Sequence, residues 1–84
     1  MKVEILLFAS LRDELGAAHT LEVPETGAGV TTVGALREAF LVASPSASRL
    51  GKRLLVAVNE IYAGDRDPVR PGDTVAFLPP VAGG

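Results

Sequence analysis

The sequence contains no cysteine and no tryptophan, and histidine, methionine and tyrosine occur once each. Without a thiol there is no disulfide framework, no cysteine-built zinc site and no thiol nucleophile. The single histidine, His19, falls beside a predicted strand with no partner in sight, so it reads as a surface or edge residue and a histidine-based triad has nothing to build on. Aromatic residues make up 5% of the chain, and charge is modest, with 21% charged residues and a net −2 at pH 7. That balance lacks the basic face or stripe of a nucleic-acid binder. No apolar run approaches the ~20 residues that cross a bilayer. The start, MKVEILLFASLRDE, is broken by Glu4 and followed by no small-residue cleavage site, which argues against a signal peptide and for the cytoplasm. Ordinary catalytic equipment is missing. Any chemistry must use an unusual group or another protein's active site.

What is present is one small domain of 84 residues, 48% of them hydrophobic, near the lower limit for a chain that folds without staples. From Lys2 to Ala9 the residues alternate. Val3, Ile5 and Leu7 form a core face, and the other face starts polar and ends apolar at Leu6 and Phe8. SLRDELG predicts one or two helical turns, with Ser10 as N-cap, Asp13 and Glu14 in the first turn and Gly16 as stop. HTLEV alternates again up to Pro24 and is expected to pair with the first strand.

PETGAGVTT is loop, and its glycines do not make a phosphate cradle, because Thr32 stands where the last glycine of G-x-G-x-x-G belongs. A helix is predicted from about Thr32 to Val42. Val33, Leu36, Phe40 and either Leu41 or Ala43 face the core, and Arg37 and Glu38 face solvent. SPSASRLG has room for a short helical turn at most. RLLVAVN reads as a central strand covered on both sides, and EIYAGD as a brief edge strand. Pro71 and Gly72 suit the centre of a type II turn. A last strand, Thr74 to Leu78, puts Val75 and Phe77 on one face and Ala76 and Leu78 on the other. The expected fold is α+β, a mixed sheet of four to five strands wrapped over one main helix. The first and last long strands have the apolar content to lie side by side at its centre, so that the C-terminal tail leaves from the middle of the sheet.

That tail ends the chain on FLPPVAGG. With glycine at roughly 7% of residues, two terminal glycines arise by luck in about one chain in two hundred. Pro79 and Pro80 have no amide hydrogen and a fixed φ, so they end the strand's ladder and stiffen the exit. Beyond them the side chains taper through Val81 and Ala82 to Gly83 and Gly84, a shape that can thread a narrow channel. The one distinctive group such a tail offers is the α-carboxylate of Gly84. It is inert as an anion, but activation as an acyl-adenylate would open it to a sulfur nucleophile, giving a thiocarboxylate, or to a lysine amine, giving a conjugate.

The stretches LLFASLRDELG, TVGALREAF, LLVAVN and GDTVAFLPPVAGG together resemble the small, sulfur-carrying subunits of molybdopterin synthase, a ubiquitin-like β-grasp family. The resemblance covers essentially the whole chain and is weakest over VASPSASRLGKR. It implies a β-grasp domain over 1–78 and a flexible, reactive di-glycine tail over 79–84. It further implies that an adenylating enzyme akin to ubiquitin-activating proteins charges Gly84 using ATP, and that a sulfurtransferase system replaces AMP with sulfur. The charged tail then enters the large synthase subunit, in a heterotetramer, to convert cyclic pyranopterin monophosphate into molybdopterin. On this reading the chain binds no cofactor or metal itself and is a co-substrate more than an enzyme. Phe8, Tyr62, Leu78, Pro79, Pro80, Val81 and Ala82 are the expected partner interface. Three alternatives stay open: a carrier for thiamine or another sulfur-containing product, a ubiquitin-like modifier of lysines, and a plain domain with a frayed end.

Overall fold

The computed structural model describes residues 1–25 and 27–80. The chain forms β1 (Lys2–Leu7), α1 (Ala9–Leu15), β2 (Ala18–Glu22), β3 (Thr31–Thr32) and α2 (Val33–Ala43). A 3-10 segment (Pro45–Arg53) follows, then β4 (Leu55–Val58), β5 (Ile61–Tyr62), β6 (Pro68–Val69) and β7 (Val75–Leu78). Five strands make one mixed sheet in the order β2-β1-β7-β4-β5, and β3 and β6 pair separately. The strands β1 and β7 lie parallel at the centre, with Ile5 opposite Val75 and Leu7 opposite Phe77. All other pairings in the five-stranded sheet are antiparallel. The two apolar strands expected to sit side by side do so.

Alternation decides which way each strand faces. Val3, Ile5, Leu7, Val56, Val75 and Phe77 are buried on one face, and α2 lies against it through Val33, Leu36 and Phe40, all fully buried. The Phe40 ring meets Phe77 edge-on at 4.8 Å between centroids, and His19 approaches the other side of Phe40 at 6.2 Å. Full burial of such side chains contributes about 1.5–3 kcal/mol each before entropy is counted. The lone histidine is a structural residue: its Nε2 is 2.7 Å from the carbonyl oxygen of Leu15, which ties the end of α1 to β2.

The start of α2 is set by Thr32, whose hydroxyl accepts the amide hydrogen of Ala35 at 3.2 Å, the usual way a threonine satisfies an otherwise unpaired helical N–H. Gly34 follows because the backbone of Asp65 crosses there: the Gly34 amide donates to the Asp65 carbonyl at 2.9 Å. A Cβ on Gly34 would meet Asp65 at 3.2 Å. The turn before β7 is type II as expected, with Gly72 at φ 91 and the Asp73 amide donating to Arg70 at 3.1 Å.

Several expectations are corrected. Strand β1 ends at Leu7, because Ala9 takes a left-handed φ of 53 and turns the chain away. Helix α1 therefore starts at Ala9, capped by Phe8 without a side-chain hydrogen bond. Ser10 is not the N-cap, and Asp13 and Glu14 fall outside the first turn. The Pro45–Arg53 segment is nine residues long, not a short turn; buried Ala47 and Leu50 hold it against α2, and Gly51 breaks it at φ 51. Arg37 does not face solvent. Its side chain is 12% exposed, pairs with Asp65 at 3.0 Å and donates to the carbonyls of Leu54 and Lys52. Finally, β4 is an interior strand but is not covered on both sides: Val56 is buried, whereas Leu55 and Ala57 are half-exposed on the face away from α2.

Candidate docking face and tail exit

The sheet face opposite α2 can be read row by row from the strand register. Leu6 stands beside Ala18 on one flank and Ala76 on the other. Ala76 faces Ala57, and Ala57 faces Tyr62. This is an apolar row across all five strands. One step nearer the tail, Leu78 faces Leu55, and Phe8 continues β1 to the same level, its amide donating to the Phe77 carbonyl at 3.2 Å. One step the other way the row is polar. The Thr20–Glu4 pair comes first, and Asn59 then both donates to and accepts from the Thr74 backbone at 2.8 and 2.9 Å. The face thus grades from polar to apolar toward the end where the chain leaves. Phe8 is 42% exposed and Tyr62 68%; Leu78, Pro79 and Pro80 are half-exposed. Contiguous apolar surface of this kind marks a contact site.

Of the residues the sequence singled out, Phe8 and Leu78 come together at the tail end. Tyr62 sits at the far edge, joined to them through Leu6, Leu55, Ala57 and Ala76. Leu6 and Ala76 were placed on the outward face without being assigned to the interface, and Leu55 and Ala57 were missed. The LLVAVN run reads as uniformly apolar, and only the alternation of Leu55 and Ala57 against Leu54 and Val56 distinguishes its two faces. Val81, Ala82, Gly83 and Gly84 lie outside the described residues.

The exit is built by three neighbours ending at one level. Strand β1 is diverted by the left-handed Ala9, and β4 begins only at Leu55, after the 3-10 segment. Pro79 and Pro80 then deny β7 any further amide donor. Among the described residues, Pro79 and Pro80 leave the central strand with no partner strand on either side. On the two flanks α1 and the 3-10 segment are linked by Arg49 and Glu14 at 3.6 Å, an exposed pair that contributes little stability. Among the described residues no group of three or more histidine, cysteine, aspartate or glutamate side chains could hold a metal ion, and no helix is long and apolar enough to cross a membrane.

One main helix, α2, packed over a mixed sheet whose parallel centre joins the first and last strands is the architecture of a ubiquitin-like β-grasp protein. The chain belongs to the ThiS family, whose model matches residues 5–84. It is 39% identical to the molybdopterin synthase sulfur carrier subunit of Escherichia coli, over 98% of this chain and 99% of that one. Its fold matches the crystal structure of small archaeal modifier protein 1 from Haloferax volcanii with a TM-score of 0.74 at 29% identity, covering 95% and 98% of the two chains. It also matches a chain from the complex of subunits 1 and 2 of molybdopterin-converting factor from Helicobacter pylori. There the TM-score is 0.64 at 24% identity, with both chains fully covered.

Proposed function

We propose that this protein is a sulfur carrier for molybdopterin biosynthesis, working through the carboxyl group of Gly84. The observation that supports it most directly is the end-to-end similarity to the Escherichia coli sulfur carrier subunit, in a fold whose central strand runs straight into the tail. In the proposed cycle an activating enzyme joins the Gly84 carboxylate to AMP from ATP, releasing pyrophosphate. Hydrosulfide, or a persulfide whose S–S bond is afterwards cut by a second thiol with formation of a disulfide, then attacks the acyl carbon and displaces AMP, leaving a thiocarboxylate. The large synthase subunit receives the body through the apolar face around Phe8, Leu55 and Leu78 and the tail through a channel, and two deliveries supply the dithiolene sulfurs of the pterin. The complex of two subunits to which the Helicobacter pylori chain belongs is a precedent for such a pairing. The chain contributes no catalytic side chain, holds no cofactor and works in the cytoplasm.

The test is the length of the tail. One residue displaces an extended chain by roughly 3.3 Å, and misplacement near 1 Å already costs about a hundredfold in rate. Deleting Gly84, or adding one residue after it, should abolish thiocarboxylate formation and sulfur transfer while the melting temperature stays unchanged. Gly83→Ala should retain partial activity. Full transfer by the extended chain would remove the proposal.

A second reading, a modifier conjugated to lysines, is favoured by the structural match to an archaeal modifier protein. Intact mass of the protein from its own host separates the two: exchange of one oxygen for sulfur at the C-terminus supports the carrier, and adducts on other proteins support the modifier.

A further inference from the structure

We infer that the outward side of α2 is a second contact surface, and that its occupant is another copy of this chain. Two shallow grooves of about 430 Å³ each run along α2, and the same two residues, Glu38 and Val42, border both. They form a ridge between the grooves, and Val42 is 76% exposed at its crest. One groove is acidic on its far bank, which carries Glu22, and has a floor of Ala35, Ala39 and Ala43. The other is floored by Gly34, Ser48 and Gly51 and carries Lys52 on its bank. A ridge beside a groove, on one surface, is what a two-fold self-contact requires, because each copy must offer both shapes.

Charge selects the orientation. A two-fold axis across α2 would set like flanks together, so that Glu22 met Glu22. An axis along α2 brings opposite flanks together and lays each ridge in the Lys52 groove of the other copy. Lys52 and Glu38 border the same groove, within reach of the Arg37 guanidinium that donates to the Lys52 carbonyl. In the parallel arrangement Glu38 of each copy can meet Lys52 of the other, both pairs lying about one helical turn before Val42. Among the described residues neither Glu38 nor Lys52 has an ion-pair partner within its own chain. A contact confined to one helix and its flanking grooves makes a weak and reversible association the expectation. It lies on the side of the molecule opposite the docking face, and both copies keep that face and the Pro79–Pro80 exit clear. This self-contact does not depend on the sulfur chemistry, and its test does not measure it.

Sedimentation equilibrium of the full chain, from about 10 μM to 1 mM to reach a weak interface, should show the mass rising toward two copies. Raising salt should weaken the association, since exposed charge pairs are screened. Val42→Glu should hold the chain at one copy throughout with an unchanged melting temperature. Glu38→Lys should weaken association, and adding Lys52→Glu to it should restore it. A single-copy mass at the highest concentration would overturn the proposal. So would a dimer indifferent to Val42→Glu, or one lost instead on Phe8→Glu.

Discussion

The guanidinium of Arg37 closes onto the carbonyl oxygen of Leu54, the residue that delivers the chain into β4. Leu54 is buried, its carbonyl accepts from this donor in a partly buried position, and the same guanidinium reaches Lys52 and Asp65. Hydrogen bonds to charged groups contribute about 1.5–3 kcal/mol. Arg37→Met keeps the apolar stem and should lose roughly that amount. The Pro45–Arg53 segment should become the first site of proteolysis, as mapped by limited digestion. Arg37→Lys should recover little, because one ammonium cannot reproduce the planar fork.

Phe40 is the keystone of the core, packed between Phe77 and His19. Phe40→Ala should cost about 3–5 kcal/mol, which for a domain of this size lowers the melting temperature by at least about 12 °C. A shift of only a few degrees would mean that the ring is not the centre of the packing.

Phe8→Glu should leave the melting temperature nearly unchanged, because the side chain is already partly exposed and its backbone bond to Phe77 remains. Affinity for the large synthase subunit proposed as its partner should fall about tenfold or more, as expected when a charge enters an apolar contact centre. Leu78→Glu should act in the same direction with some loss of stability, since Leu78 is half-buried. Titration calorimetry with both variants provides the check, and undiminished binding in both would exclude this face.

Asp73 shapes the acid side of the stability profile. Its carboxylate accepts from the Arg70 amide at 2.8 Å and from the Asn59 side chain at 3.1 Å. These two bonds, in that order, with the Arg70 charge adding to them, hold its pKa below the ordinary 3.8. The folded pKa is the depressed one, so the stabilisation is present above the ordinary carboxylate range and is lost as pH falls through the folded value. Asp73→Asn removes the titration. The stability difference between wild type and variant, measured by urea midpoints, should be constant near neutrality and shrink below about pH 4.

Much of the fold was legible because burial leaves a period. Val3, Ile5 and Leu7 repeat every second residue, and Val33, Leu36 and Phe40 follow helical spacing, so the sheet centre and the helix across it could be read directly. What escaped was set by tertiary closure. The β3–β6 pair involves two residues on each side, too few to leave a pattern, and exists because Asp65 and Asp67 return to the start of α2, where their carbonyls accept from Gly34 and Val33. The Pro45–Arg53 segment has only two buried apolar anchors, Ala47 and Leu50, and two anchors among serine, arginine, lysine, proline and glycine look like loop. Arg37 read as solvent-facing because helical spacing cannot see a carbonyl arriving from another segment. At the candidate site Phe8, Leu78 and the proline exit were visible, while Leu55 and Ala57 were hidden in a run that looked apolar on both faces.

The parallel pairing of β1 with β7 also bears on how the molecule carries load. A partner that grips the tail pulls β7 along its own axis, away from the start of β1. Because the two strands run in the same direction, that pull slides one past the other and strains all their cross-strand hydrogen bonds together. A hairpin pulled at its open end would instead give way one bond at a time. The antiparallel contact of β7 with β4 shares the strain. The body can therefore be drawn against a narrow channel by its last residues without being unravelled from that end.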